Sequence, residues 1–152
     1  MNKIAVFSSE KEFKKFEKPV FSTVAELLEV LDKNNIYLEI YLAGNKMMKF
    51  LNKKFRNKNK AADVLSFNEP IGFPRPELAG RDGIKKVKSI GEIYINMSKV
   101  NPPVGGQKSK VYLLAHGILH LLGYNHKKKS DRIKMERMEL SVIKKLSNYL
   151  IA

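Results

Sequence analysis

The chain of 152 residues contains no cysteine. Disulfides, thiolate metal sites and cysteine nucleophiles are excluded together, and any metal site must be built from nitrogen and oxygen ligands. Long hydrophobic runs are also missing. No stretch approaches the roughly 18 consecutive apolar residues of a membrane span, and the opening MNKIAVFSSEKEFKK has too short an apolar run for a signal peptide. A soluble, cytoplasmic protein with no membrane partner is the expectation. Acids are scarce: 15 Asp and Glu stand against 29 Lys and Arg, a net charge of +14. An excess of this size favours a polyanionic partner, either nucleic acid or an anionic membrane surface. A composition rich in Lys, Asn and Ile throughout would give the same charge, so composition alone does not separate the two. Histidine is scarce too: there are three, His116, His120 and His126, all inside residues 115–126, AHGILHLLGYNH.

What is present supports one folded domain, residues 1–152. The apolar content is 43%, in the range of globular proteins, and the length suffices to bury a core without a covalent staple. IAVFSS reads as a short strand. PVFSTVAELLEVLDKNN has a helical rhythm, with Val20, Val24, Leu27, Leu28 and Leu31 on one face and Thr23 and Glu26 at capping-box spacing. Ile36, Leu38, Ile40 and Leu42 alternate with Tyr37, Glu39, Tyr41 and Ala43, the period of a half-buried strand. Gly44-Asn45 turns the chain, and Met47, Leu51 and Phe55 recur every four residues on a short basic helix. ADVLSF and SIGEIYIN read as strands. The Pro- and Gly-rich stretches NEPIGFPRPELAGRDG and NPPVGGQKSK read as loops. VYLLAHGILHLL is apolar nearly all round, the mark of a buried helix. A last helix is expected from about Ser130 to Tyr149, with Met135, Met138, Val142, Leu146 and Tyr149 as its core face. The order β-α-β-α-β-β-α-α predicts an α+β fold: a small mixed four-stranded sheet packed with helices.

The histidines are spaced H-x-x-x-H-x-x-G-x-x-H. Residues four apart on a helix lie about 40° apart around its axis, so His116 and His120 face one point from adjacent turns. Gly123 can adopt positive φ and end the helix, and the returning chain then brings in His126. Three nitrogens can hold one metal ion and leave a fourth position open, as catalytic rather than structural sites do. Two core histidines and one loop histidine are the bland reading, and the spacing around a turn-permitting glycine argues against it. Zinc peptidases place a Glu directly after the first His as general base. Here that residue is Gly117, which cannot move a proton, so peptide hydrolysis by the usual zinc mechanism loses most of its support.

HGILHLLGYNH closely resembles the H-G-x-L-H-L-x-G-Y-D-H signature of the YbeY family of endoribonucleases, the bacterial rRNA maturation factors. LNKKFRNKNKAADVLSF is similar to that family's L-N-x-x-[FY]-R-x-K-[DN]-x-x-T-D-V-L-S-F segment, GEIYIN to its G-D-I-x-I-S strand, and Met135 with Glu139 to an M-x-x-x-E in its last helix. The resemblance spans roughly residues 36–146. It implies a zinc-dependent, single-strand-specific endoribonuclease that matures the three-prime end of small-subunit rRNA and serves ribosome quality control. It implies one zinc per chain on His116, His120 and His126, and a functional arginine at Arg56. The implied partners are single-stranded RNA and rRNA, a small ribosomal subunit protein and a ribosome-associated GTPase, with no DNA. Arg56 would grip a phosphate, and the nucleophile is left open between water and the RNA's own 2′-hydroxyl. Without the resemblance, Arg56 reads as one exposed cation among many.

From Lys46 to Lys60 there are seven Lys or Arg and no acids, with Phe50 and Phe55 among them. RNA grooves combine such charges with aromatic stacking, although Phe55 also fits the core rhythm of Met47 and Leu51. Lys127-Lys128-Lys129 extends the basic track or is simply a solvated face. The sequence departs from the family pattern at Asn125 for Asp, Ala62 for Thr, Asn68 for Pro and Asn96 for Ser. The stretch between GEIYIN and the histidine helix is also several residues short. Asp63 and Glu92 are strand carboxylates left out of the catalytic set, with pairing to nearby lysines the expected role. The alternative function is a non-catalytic ribosome-assembly factor that binds RNA around a structural zinc.

Overall fold

The computed structural model describes residues 1–68, 88–98 and 109–146. The expected loops at 68–83 and 101–110 therefore lie almost wholly outside the described residues, as does Tyr149. The elements are β1 (Lys3–Ser8), a 3-10 helix (Lys11–Phe16), α1 (Glu17–Val30), β2 (Ile36–Ala43), α2 (Asn45–Arg56), β3 (Val64–Phe67), β4 (Lys88–Asn96), α3 (Lys110–Leu121) and α4 (Lys129–Lys145). The sheet order is β1-β2-β4-β3. β1 and β4 flank β2 in parallel, and β3 pairs antiparallel with β4. The α+β layout with a mixed four-stranded sheet is as the sequence implied. No helix among the described residues is long and apolar enough to cross a membrane.

One face of the sheet carries the aliphatic side chains of β2 and β4. Leu38, Ile40, Leu42, Ile93 and Ile95 pack with Val20, Val24, Leu27 and Leu28 of α1 and with Leu114 and Ile118 of α3 in the main core. The other face is aromatic and polar. Tyr41 stacks between Phe7 at 5.1 Å and Tyr94 at 4.5 Å, and Met48 and Leu51 of α2 pack against Tyr94 and Phe67 in a second cluster. β2 is thus buried on both faces, not half-buried as its alternation predicts. The reason is its place between two parallel neighbours, where both faces of a strand are covered. The alternation separates two kinds of core. Glu39 is buried there among hydroxyls, accepting hydrogen bonds from Tyr37 and from Tyr41 at 3.0 Å.

The expected capping box is not formed. α1 starts at Glu17, and Thr23 lies in mid-helix and buried. Pro19 falls in the first turn, where its missing N–H has no partner to lose, so the helix begins before the proline. The 3-10 helix that precedes it, with Phe13 buried, carries no periodic signal of its own. At the other end, α4 stops at Lys145 rather than near Tyr149. Leu146 turns extended (φ −68, ψ 126) and is buried from outside the helix.

Two local devices position the site. Asn52 of α2 is buried, and its Nδ2 donates to Lys60 O at 2.8 Å, while Lys58 N donates to Asn52 O. This holds the residues after α2 against the helix. Asn96 at the end of β4 donates from Nδ2 to Asn45 Oδ1 at 2.8 Å and Ala62 O at 3.3 Å, joining the start of α2 to the approach to β3. That departure from the family pattern is a structural tie.

Candidate metal centre

α3 is capped by Ser109, whose Oγ accepts from Tyr112 N at 3.2 Å, and eight of its residues are buried against the sheet and neighbouring helices. His116 and His120 stand on the remaining face. The helix then closes in a Schellman turn: Gly123 N donates to His120 O and Tyr124 N to Leu119 O, each at 3.0 Å, with Gly123 at φ +107. A Cβ at Gly123 would meet no atom within 4 Å, so the glycine serves the backbone dihedral alone. The turn carries His126 back over the helix end as the spacing predicts.

His120 Nε2 lies 3.1 Å from His116 Nε2 and 3.1 Å from His126 Nε2. Two nitrogens held tetrahedrally at zinc–nitrogen distances of about 2.0–2.1 Å would be roughly 3.3 Å apart, so the spacing suits one shared ion. Hydrogen bonding among the rings alone does not satisfy it, because one ring proton on His120 Nε2 can serve only one of its two neighbours. The side chains that can hold a metal ion are therefore His116, His120 and His126. Burial, and then the charges of His116 and His126, push the His120 pKa down to about 4, so its lone pair is free at neutral pH.

The surroundings orient the rings. His116 Nδ1 lies 2.9 Å from Glu139 Oε1 of α4, and Tyr112, one turn before His116, stacks on its ring at 6.2 Å and hydrogen-bonds Glu139. Burial raises the Glu139 pKa, but the hydrogen bonds from His116 and Tyr112 outweigh it and hold the carboxyl below its usual range. An ionised Glu139 keeps the proton of His116 on Nδ1 and turns Nε2 toward the shared point. Sequence reading passed over this role of Glu139 and Tyr112. The available signal was an acid four residues after Met135 and three before Val142, on a stripe that is otherwise core.

A cleft of about 700 Å³ opens beside the three histidines, and Arg56, Lys58, Lys60, Asp63, Ser66 and Asn68 line it with them. Arg56 Nη2 donates to Ser66 O at 2.9 Å, and the guanidinium carbon lies 4.8 Å from the Phe67 ring centroid. Ser66 Oγ in turn donates to Gly117 O at 3.3 Å, joining β3 to α3. The structure thus brings all four expected site residues to one cleft. Of the two carboxylates set aside, Asp63 lines it, whereas Glu92 is buried in the sheet in register with Glu39. Asn125 Oδ1 accepts from Lys127 N at 3.1 Å and so shapes the turn around His126. A Cβ on Gly117 would sit 3.1 Å from both Ile93 Cδ1 and Ser66 Oγ. Position 117 faces the sheet strands, with no room for a peptidase glutamate.

A family model described as Endoribonuclease YbeY matches residues 2–147. A protein named Endoribonuclease YbeY from Thermodesulfovibrio yellowstonii is 34% identical, over 96% of this chain and 84% of its own. One of the same name from Aquifex aeolicus is 33% identical, over 90% and 89%. Another from Malacoplasma penetrans is 27% identical, over 93% and 92%. A solution structure from Thermotoga maritima aligns with a TM-score of 0.43 at 21% identity, covering 91% of this chain and 88% of that one. The family match runs from ahead of β1 to beyond α4, so it takes in the sheet, the arginine helix and the histidine turn together, and the chain belongs to the YbeY endoribonuclease family.

Proposed function

We propose that this chain is a zinc-dependent endoribonuclease specific for single-stranded RNA, acting in the cytoplasm on the three-prime end of small-subunit rRNA and in ribosome quality control. The observation that carries the reading is the convergence of three imidazole Nε2 atoms with Arg56 in one basic cleft. One zinc per chain fits this all-nitrogen donor set, with His116, His120 and His126 as its ligands. Zinc, when bound, polarises a phosphoryl oxygen and makes water more acidic.

The chain's own residues supply the rest. Arg56 is the catalytic residue of the proposal. Its Nη2 donates to Ser66 O at 2.9 Å, its Nη1 to Phe55 O at 3.4 Å, and its guanidinium carbon lies over the Phe67 ring. Its remaining donors are thus held in place before substrate arrives, which is what makes a guanidinium effective against charge that builds on a phosphate. Lys58 and Lys60 raise the positive potential of the cleft. Glu139 holds His116 in the tautomer that leaves Nε2 unprotonated. Contacts with a small-subunit ribosomal protein and a ribosome-associated GTPase belong to the same proposal and rest on family membership.

The test is cleavage of a single-stranded RNA by the wild type, Arg56→Ala and His120→Ala, with zinc content measured beside it. Activity should vanish on chelation and return with zinc. Arg56→Ala should lose about 10²–10³-fold in rate while keeping its metal, and His120→Ala should lose both. A 2′,3′-cyclic phosphate end would assign the first attack to the RNA's 2′-hydroxyl. RNA binding without cleavage by zinc-loaded wild type would overturn the catalytic reading in favour of an assembly factor around a structural ion. Asn125 favours that second reading, because an amide there cannot carry charge.

A further inference from the structure

α2 turns one face inward and one outward from the same twelve residues. Met48, Leu51 and Asn52 are buried, and Phe55 packs edge-on against Phe67 at 5.3 Å. Phe50 does neither: it is 57% exposed, with Lys46, Lys49, Lys53 and Lys54 exposed around it. A single exposed phenylalanine needs no explanation by itself. Its setting is what singles it out. The stretch from Lys46 to Lys60 holds no acid, so every charge on the ring's own helix is positive. The stretch also leads to the cleft. Phe50, Lys53 and Arg56 are spaced three apart, so each steps about 60° around the helix and the last lies about 9 Å further along its axis. A relay of contacts follows the same route. Lys54 Nζ is 5.7 Å from the Phe50 ring and 5.4 Å from Phe55, Phe55 meets Phe67, and Phe67 carries Arg56.

We infer that Phe50 is a stacking platform for an unpaired base of the RNA strand that runs between the outer face of α2 and the cleft. The inference rests on the reading of this cleft as an RNA site and adds to it a subsite outside the metal centre. A phenyl ring stacks on any base face, whereas a paired base keeps its faces against its neighbours in the helix. The surrounding lysines hold the strand by its phosphates without reading sequence. The platform therefore favours single strands through stacking and leaves base identity open.

The chain has no tryptophan, so Phe50→Trp introduces a lone indole reporter on an exposed helix face. Three probes would be titrated against this variant in the full-length protein: a single-stranded oligoribonucleotide, the same RNA as a duplex, and phosphatidylserine vesicles. Indole fluorescence should be quenched by the single strand and little changed by the other two. Phe50→Leu, which keeps an apolar side chain and removes the π face, should weaken single-strand binding at least about fivefold, and Phe50→Tyr should restore it, with unchanged melting temperatures. Wild-type affinity in Phe50→Leu, equal quenching by duplex, or a response to vesicles alone would each overturn the inference. RNA cleavage by the wild type together with unaltered binding by Phe50→Leu sinks the platform and spares the catalytic reading. Quenching without cleavage does the reverse.

Discussion

His120 shares its Nε2 with both neighbours, and Glu139 fixes the ring of one of them. Removing either should therefore be felt at the metal. Glu139→Gln keeps the size of the side chain and removes the charge that holds His116 on Nδ1. We expect zinc affinity to fall about 10–100-fold, measured by competition with a chelator, with the fold retained by circular dichroism. Gly123 tests the turn rather than the ligands. Gly123→Ala forces a side chain into left-handed backbone at about 1–2 kcal/mol, although the surrounding space is open. It should weaken zinc binding by displacing His126, and an unchanged affinity would show that His126 reaches the site without this turn. The pH response also belongs to single residues. In metal-free protein His120 takes its proton only near pH 4, against an ordinary value of 6.5. The unfolded chain then binds more protons between those values, so stability falls as pH drops from about 6.5 toward 4. Glu139 acts in the same direction, since its lowered pKa contributes stability that is lost on further acidification. The urea midpoint of the apo protein should be lower at pH 5 than at pH 7, and a midpoint flat across that window would refute the assignment.

At the scale of elements, the site depends on how closely α3 approaches the sheet. Gly117 sets that distance, because a methyl there would press on Ile93 and Ser66. Gly117→Ala should cost about 1–3 kcal/mol through overpacking, offset by about 1 kcal/mol of helix propensity, and so lower the melting temperature by up to about 8 °C. Since Ser66 also carries Arg56 on its carbonyl, the variant should lose more RNA-cleaving activity than its stability loss accounts for. Activity reduced only in proportion to the unfolded fraction would show that β3 does not transmit the shift to Arg56.

For the whole molecule, the net charge of +14 acts as a field. Binding of single-stranded RNA should weaken steeply between low and moderate salt, with a slope of about 0.7 per phosphate contact. Lys58→Ala should reduce that slope by about one contact. Affinity indifferent to salt would mean that the charge is a feature of composition and not of the cleft. Much of this architecture was legible beforehand, for physical reasons that differ from element to element. The strand at Ile36–Ala43 announces itself by period two, and the turn at Gly123 by the residue that left-handed backbone prefers. The spacing of His116 and His120 is a property of helix geometry, so their convergence needs no tertiary information. The capping-box spacing of Thr23 and Glu26 misled because both residues lie inside the helix that already includes Val20 and begins at Glu17. The double burial of β2 was missed because periodicity distinguishes faces but does not say what covers each one.

Local chemistry along the chain thus determined the histidine triad, most of the elements and the family resemblance, since each depends on residues near one another in sequence. Contacts between distant segments decided the rest: Glu139 against His116 across 23 positions, Arg56 on Ser66 and Phe67, and Phe50 left outside while Phe55 turns in. Side chains far apart along the chain have no defined distance until the sheet and helices pack, and only packing selects which charged groups meet.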